Sequence, residues 1–279
     1  MHYRSSLGLI ALAAALTMTM AGAQAFDDSK YPDFVGQWRR PPGIGNQFNT
    51  AKPVRQGEAP LTPEYQAIYE ANLKDQAEGG QGADPTYICI PDGMPRGMNV
   101  IFPMEIVITP NTTYMMIEYL SMLRRVYTDG RNWPEDFEPS FMGYSIGKWI
   151  DEDGDGRYDV LEIETRFLKG PRAFDASGIP LHKDNKTIVK ERMSLDKANP
   201  DVLLDEITTI DNALTRPWTV TKKYIRVRNP IWIESICSES NEHVRLGKEN
   251  YMISADGLLM PAKKGQKPPD LKYFDQTRK

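Results

Sequence analysis

Apolar and polar residues alternate along most of the chain after Glu105. In 187–195, Thr187, Val189, Glu191, Met193 and Leu195 share one face, and Lys190, Arg192 and Ser194 share the other. Alternation of this period, rich in β-branched and aromatic residues, predicts strands. The same test predicts strands at 105–109, 113–120, 122–128, 143–150, 158–166, 187–195, 202–210, 218–227 and 231–237. Most connections carry turn residues, such as Pro110-Asn111, Thr128-Asp129-Gly130 and Asn199-Pro200-Asp201. Many strands in sequence order with short links favour an up-and-down antiparallel barrel over a sandwich. Two connections, 129–142 and 167–186, are longer than a hairpin needs, and long loops at one end of a scaffold often carry binding groups.

Before Glu105 the pattern changes. Residues 31–60 are rich in Pro, Gly, Asn and Gln, with one strand-like patch, Phe34 to Arg39, expected to join the sheet. One helix is predicted. Thr62 caps it, and Pro63 occupies the first helical position, where a missing N–H is harmless. Tyr65, Ile68, Tyr69 and Leu73 fall on one face, and Gly79-Gly80 end it. Residues 84–104 read as loop. The expected fold is all-β with minor α: a barrel with an N-terminal helical arm. Its divisions are a signal at 1–25, a strand and helical arm packed on the barrel at 26–104, and a barrel domain with a C-terminal tail at 105–279.

Composition narrows the context. Arg4, the uncharged run Leu7–Met20 and the small-x-small site Ala23-Gln24-Ala25 predict a secretory signal, with the mature chain starting near Phe26. No later segment is apolar enough to span a bilayer as a helix. Export places the two cysteines, Cys89 and Cys237, in an oxidising compartment, where an even pair suggests one disulfide; two separate buried thiols are the alternative. The formal charge is −4 and becomes −5 without Arg4. The charges are interspersed rather than blocked, so no basic stripe for nucleic acid exists.

The stretch Asp151 to Glu162 fits the calcium-loop pattern D-x-D-x-D-G-x5-E and resembles the loop of an EF-hand. Asp151, Asp153 and Asp155 supply alternate hard oxygens. The carbonyl of Arg157, Asp159 and a bidentate Glu162 would complete the shell, and Gly156 permits the turn. The flanks read as strands rather than helices, which makes Glu162 the least certain ligand. Four acidic residues within five positions repel one another unless a cation offsets them. A plain acidic turn is the competing reading, since Asp-Gly is also a hairpin signal.

Gly36-Gln37-Trp38 resembles the Gly-x-Trp start of lipocalin-like (calycin) barrels. Thr-Asp-Gly-Arg (128–131), Gly-Tyr-Ser-Ile-Gly-Lys-Trp (143–149), Gly-Ile-Pro-Leu-His (178–182), Glu191-Arg192 and Thr-Arg-Pro-Trp-Thr (215–219) resemble a widespread group of exported bacterial proteins of unassigned activity. That resemblance implies a barrel and export, and no reaction.

Candidate chemistry sits at few positions. Glu191 shares the apolar parity of its strand and is expected inside. Glu118 shares parity with Tyr114, Met116 and Leu120 and is read the same way. A carboxylate in a barrel needs a partner, for which Arg124, Arg125 and Arg131 are available. The bland reading is a structural ion pair. The functional one is a polar contact or general base in a ligand cavity. His182, at the end of a long loop, is the candidate acid/base beside Glu191. The spacing of the few histidines does not suit a zinc enzyme. Tyr144, Met193 and the abundance of methionine suit a cavity for an apolar or aromatic small molecule, although methionine also fills ordinary cores. Three readings stay open: a small-molecule binder, a cofactor-independent lyase, isomerase or hydrolase using Glu191 and His182, and a structural or interaction protein ordered by calcium.

Overall fold

The computed structural model describes residues 26–42 and 59–269; the expected signal at 1–25 lies outside them. Nine strands close into a barrel in sequence order. They are β1 (Gly36–Arg39), β2 (Met104–Ile108), β3 (Thr112–Ile117), β4 (Met122–Tyr127), β5 (Tyr144–Ile150), β6 (Val160–Arg166), β7 (Ile188–Leu195), β8 (Val202–Ile210) and β9 (Trp218–Arg226). The protein is therefore all-β with a lipocalin-like barrel.

Eight of the neighbouring pairs are antiparallel, and β4–β5 is parallel, through Val126↔Ser145 and Tyr127↔Ile146 alone. This corrects the purely antiparallel expectation, and counting requires it. A closed ring with an odd number of strands cannot alternate direction all the way round. The connection 128–143 resolves the mismatch by crossing the barrel from one end to the other. It packs on the outside, where Trp133 and Phe137 meet Tyr144 and Phe167. Arg131 stacks on Tyr127 at 3.8 Å and Arg166 on Trp133 at 4.4 Å.

The registers sort the connections by end. Turns 109–111, 151–159 and 196–201 lie at one end. Residues 40–42 and 59–103, with connections 118–121, 167–187 and 211–217, lie at the other. The second end carries helix α1 (Pro63–Ala77), whose start is capped as expected: Thr62 Oγ1 accepts from the Tyr65 N–H at 3.4 Å. Only Tyr65 and Tyr69 of its expected apolar face are buried, and Ile68 is exposed. Trp38, Met104, Ile106, Met115, Ile117, Trp149, Leu161, Met193 and Leu203 belong to one buried core.

Three other expectations change. The strand expected at 113–120 ends at Ile117, because Leu120 and Ser121 take left-handed backbone (φ 55° and 49°). The strand expected at 231–237 does not form a ladder; the segment is held against the barrel by side-chain bonds to Gln37 and Glu118 and leads into a short helix, α2 (Cys237–Ser240). Beyond it, the stretch read as a tail contains a three-stranded sheet of β10 (His243–Leu246), β11 (Glu249–Ile253) and β12 (Leu259–Pro261). The sulfurs of Cys89 and Cys237 lie at disulfide distance, which ties the loop before β2 to the start of α2.

Candidate functional site

Inward parity brings charged groups into the barrel. Glu191 on β7 faces in, as expected, and Arg124 on β4 meets it from across the interior. Arg124 Nη1 donates to Glu191 Oε1 at 2.8 Å and Nη2 to Oε2 at 2.5 Å. Its remaining donors go to Ser145 Oγ (3.3 Å), Thr165 Oγ1 (2.9 Å) and Met115 Sδ (3.8 Å). The carboxylate thus faces a counter-charge and has one bond on each oxygen, and both side chains are buried. Met193, also inward, is buried beside this pair.

Two further charged groups share the interior, and the strand-by-strand reading passed over both. Asp205 on β8 and Lys222 on β9 are cross-strand partners and fully buried. Asp205 shares parity with Leu203 and Ile207, and Lys222 with Val220 and Tyr224. The test that singled out Glu191 finds these two as well. Neither oxygen of Asp205 has a hydrogen-bond partner. Arg40, just past β1, donates from Nη1 to Asn99 Oδ1 at 3.0 Å, while its Nε and Nη2 are without partners. Thr113 Oγ1 and Thr209 Oγ1, both inward, are also unpartnered. Burial pushes the Asp205 carboxyl well above the ordinary range, and the charge of Glu191 adds to the push against Arg124, Lys222 and Arg40. Burial, with Arg40 nearby, lowers the Lys222 amine to about 6. Burial thus opposes the charge on both groups of this pair, as low-dielectric surroundings demand.

The other candidates lie elsewhere. Glu118 is buried but outside the barrel, because β3 ends before it. Its Oε2 accepts from the Ile233 N–H at 3.1 Å. Tyr144 faces outward into the aromatic group under the crossover. His182 stacks on Tyr65 at 5.1 Å, and its Nδ1 lies 3.0 Å from Asp184 Oδ1. Among the described residues, the hydrogen bonds and ion pairs of His182 run to Asp184 and Asp211, and those of Glu191 to Arg124.

At the opposite end, the β5–β6 hairpin carries the acidic loop. Carboxylate oxygens of Asp151, Asp153 and Asp159 lie within 4.8 Å of one another, a set that could hold a metal ion. Asp151 accepts from the N–H groups of Gly154 (2.8 Å) and Gly156 (3.0 Å), and Asp159 from that of Glu152 (2.8 Å). Asp155 instead accepts from the Arg157 N–H at 2.8 Å, and Glu162 pairs with Arg192 at 3.0 Å. Neither joins the three. Tyr158 packs on Tyr31, and its N–H donates to the Lys30 carbonyl at 2.7 Å, which moors the loop to the N-terminal segment.

Recesses also open on the outer surface. One of about 420 Å³ lies over β5–β8 among Lys148, Glu162, Glu164, Lys190, Arg192 and Glu206, a face on which opposite charges alternate across the strands. No protein-family model matches this chain, and a search of curated proteins gives no match either. The fold and the site therefore carry the functional reading. No described helix is long and apolar enough to cross a membrane.

Proposed function

We propose that the protein is an exported, lipocalin-like binding barrel. It takes one small molecule whose polar head meets Asp205 and Arg40, with a calcium ion in the β5–β6 hairpin. The observation that carries this reading is Asp205. A carboxyl group with no solvent exposure and no partner on either oxygen is expensive to bury, by about 1–3 kcal/mol for each unmet group. Arg40, with unmet donors of its own, shares the interior. A ligand head that bonds both would remove the penalty. Trp38, Ile106, Met115 and Met193 of the packed core surround this interior and would have to part to admit an apolar or aromatic body, for which their side chains are suited. The expected apolar ligand is thereby narrowed to one with a polar end.

Calcium is supported by the donor set, three carboxylates offering hard oxygens at the tip of a hairpin. Export is supported by the signal-like start and by the disulfide, which suits an oxidising compartment.

Native mass spectrometry of the purified protein tests the binding reading. A retained small molecule is expected, released on denaturation and absent from Asp205→Ala with the barrel intact by circular dichroism. A molecule still held by Asp205→Ala, or none held by the wild-type chain even after incubation with a cell extract, would overturn it.

A further inference from the structure

The crossover 128–143 leaves part of one strand edge open in the barrel wall. Strand β4 pairs with β3 along its whole length, from Ile117↔Met122 to Thr112↔Tyr127, but with β5 only at Val126 and Tyr127. The Thr128 N–H donates to the Asn111 carbonyl at 2.9 Å, on the β3 side. Backbone groups of successive strand residues alternate in direction, so Val126, Arg124 and Met122 turn theirs toward β3 as well. Leu123, Arg125 and Tyr127 turn theirs toward the other edge, where Tyr127 meets β5. No hydrogen bond among the described residues joins the Leu123 or Arg125 N–H to the crossover.

A recess of about 230 Å³ opens along this edge, lined by Leu123, Arg125, Tyr127, Phe137, Ser140 and Tyr144. Leu123 and Arg125 are exposed and the other four are half-buried, so a molecule in solution can reach them. The rings form one wall: Tyr127 lies 4.9 Å from Tyr144, and Phe137 meets Tyr144 edge-on at 5.1 Å. No acidic residue lines the recess, and Glu135, Asp136 and Glu138 of the crossover are exposed outside it. Of the nearby arginines, Arg124 backs the recess with its side chain turned inward to Glu191, Arg131 is held by Asp129 at 2.6 Å, and Arg166 by Glu164 at 2.5 Å. Arg125 pairs with no carboxylate among the described residues.

We propose that this recess binds a single-ring aromatic carboxylate, at a site on the outer wall separate from the interior of Asp205 and Arg40. A carboxylate presents two acceptor oxygens in one plane, and a guanidinium grips it with two parallel bonds. Arg125 supplies that fork. The open N–H groups of Leu123 and Arg125 add donors of the kind by which a sheet edge holds an anion. The ring lies against Tyr127, Phe137 and Tyr144, where offset and edge-on contacts between aromatic groups add to the burial of their area. Recesses for drug-sized ligands measure about 300–1,000 Å³, so this smaller one suits a molecule of one ring. A peptide strand is the usual guest of a free edge, but two open N–H groups offer it little ladder.

Amide NMR spectra of the purified full chain, titrated with benzoate, test the site. The Leu123 and Arg125 amide signals should move and saturate. Acetate, which lacks the ring, and benzyl alcohol, which lacks the charge, should each bind more weakly by about tenfold or more. Arg125→Ala should weaken benzoate by about tenfold, and Phe137→Ala should weaken benzoate while leaving acetate unchanged. Arg125 is exposed and unpaired, so its variant should keep the wild-type melting temperature, which separates lost binding from lost folding. Saturable shifts that miss Leu123 and Arg125, or no saturable shift with benzoate at about 10 mM, would overturn the proposal. So would benzoate binding unaltered in Arg125→Ala, or acetate binding as tightly as benzoate.

Discussion

Replacing Glu191 with Gln should be among the most damaging single changes in this protein. The two bonds from Arg124 to the Glu191 carboxylate cross the barrel interior, and both side chains are shielded from water. The substituted amide keeps one carbonyl oxygen for Arg124 but turns an NH2 group toward the other guanidinium nitrogen. The arginine charge then has no counter-ion in its place. Breaking one side of a buried ion pair costs about 3–5 kcal/mol. Ser145 and Thr165 still accept from Arg124, which favours the lower part of that range. For a domain of this size each kcal/mol moves the melting temperature by about 2–4 °C, so a fall of roughly 6–15 °C is expected. Removing both charges, as Arg124→Met with Glu191→Leu, should recover most of the loss, since a well-packed apolar pair is often no worse than a buried ionic one. Urea denaturation followed by tryptophan fluorescence measures both variants. If Glu191→Gln costs under about 1 kcal/mol and the double variant costs more, the pair is not the isolated buried contact described here.

Two other outcomes are expected. Calcium at about 100 times its dissociation constant should add roughly 2.7 kcal/mol to stability, and Asp153→Ala with Asp159→Ala should abolish the gain; a calorimetric titration without heat and without a thermal shift would show the loop to be a plain acidic turn. Burial, reinforced by Asp84 and opposed by Arg96, raises the Asp92 carboxyl to about 6. A raised folded-state value means that its stabilising contribution is complete below about pH 4 and lost as pH rises through about 6. Asp92→Asn should therefore remove a decline of about 2 kcal/mol between pH 4 and 7, and urea midpoints that fall equally in both proteins would contradict the assignment.

Alternation made the barrel legible, because a strand with one face in the core repeats its burial every second residue. Val189, Glu191 and Met193 follow that rule, and so do Asp205 and Lys222. The rule says which face a residue takes only while the strand lasts. Glu118 keeps the parity of Tyr114 and Met116, but these two face outward, and the chain turns left-handed at Leu120, so Glu118 meets Ile233 outside the barrel. Residues 231–236 have the composition of a strand without a ladder, since composition records a preference for extended backbone and not what lies beside it. Strands β10 to β12 escaped because little of that sheet is buried; Tyr251 is its one fully buried hydrophobic residue.

The acidic loop shows the same limit in its chemistry. The pattern from Asp151 to Glu162 matches a calcium loop by spacing alone. In an EF-hand a helix follows the loop and swings its twelfth position back over the ion. Here β6 begins at Val160, and the ladder assigns Glu162 to the outer face opposite Arg192, which takes its carboxylate. The ligand set is thereby reduced to the aspartates that the turn itself gathers, and the flanking strands decide the reduction.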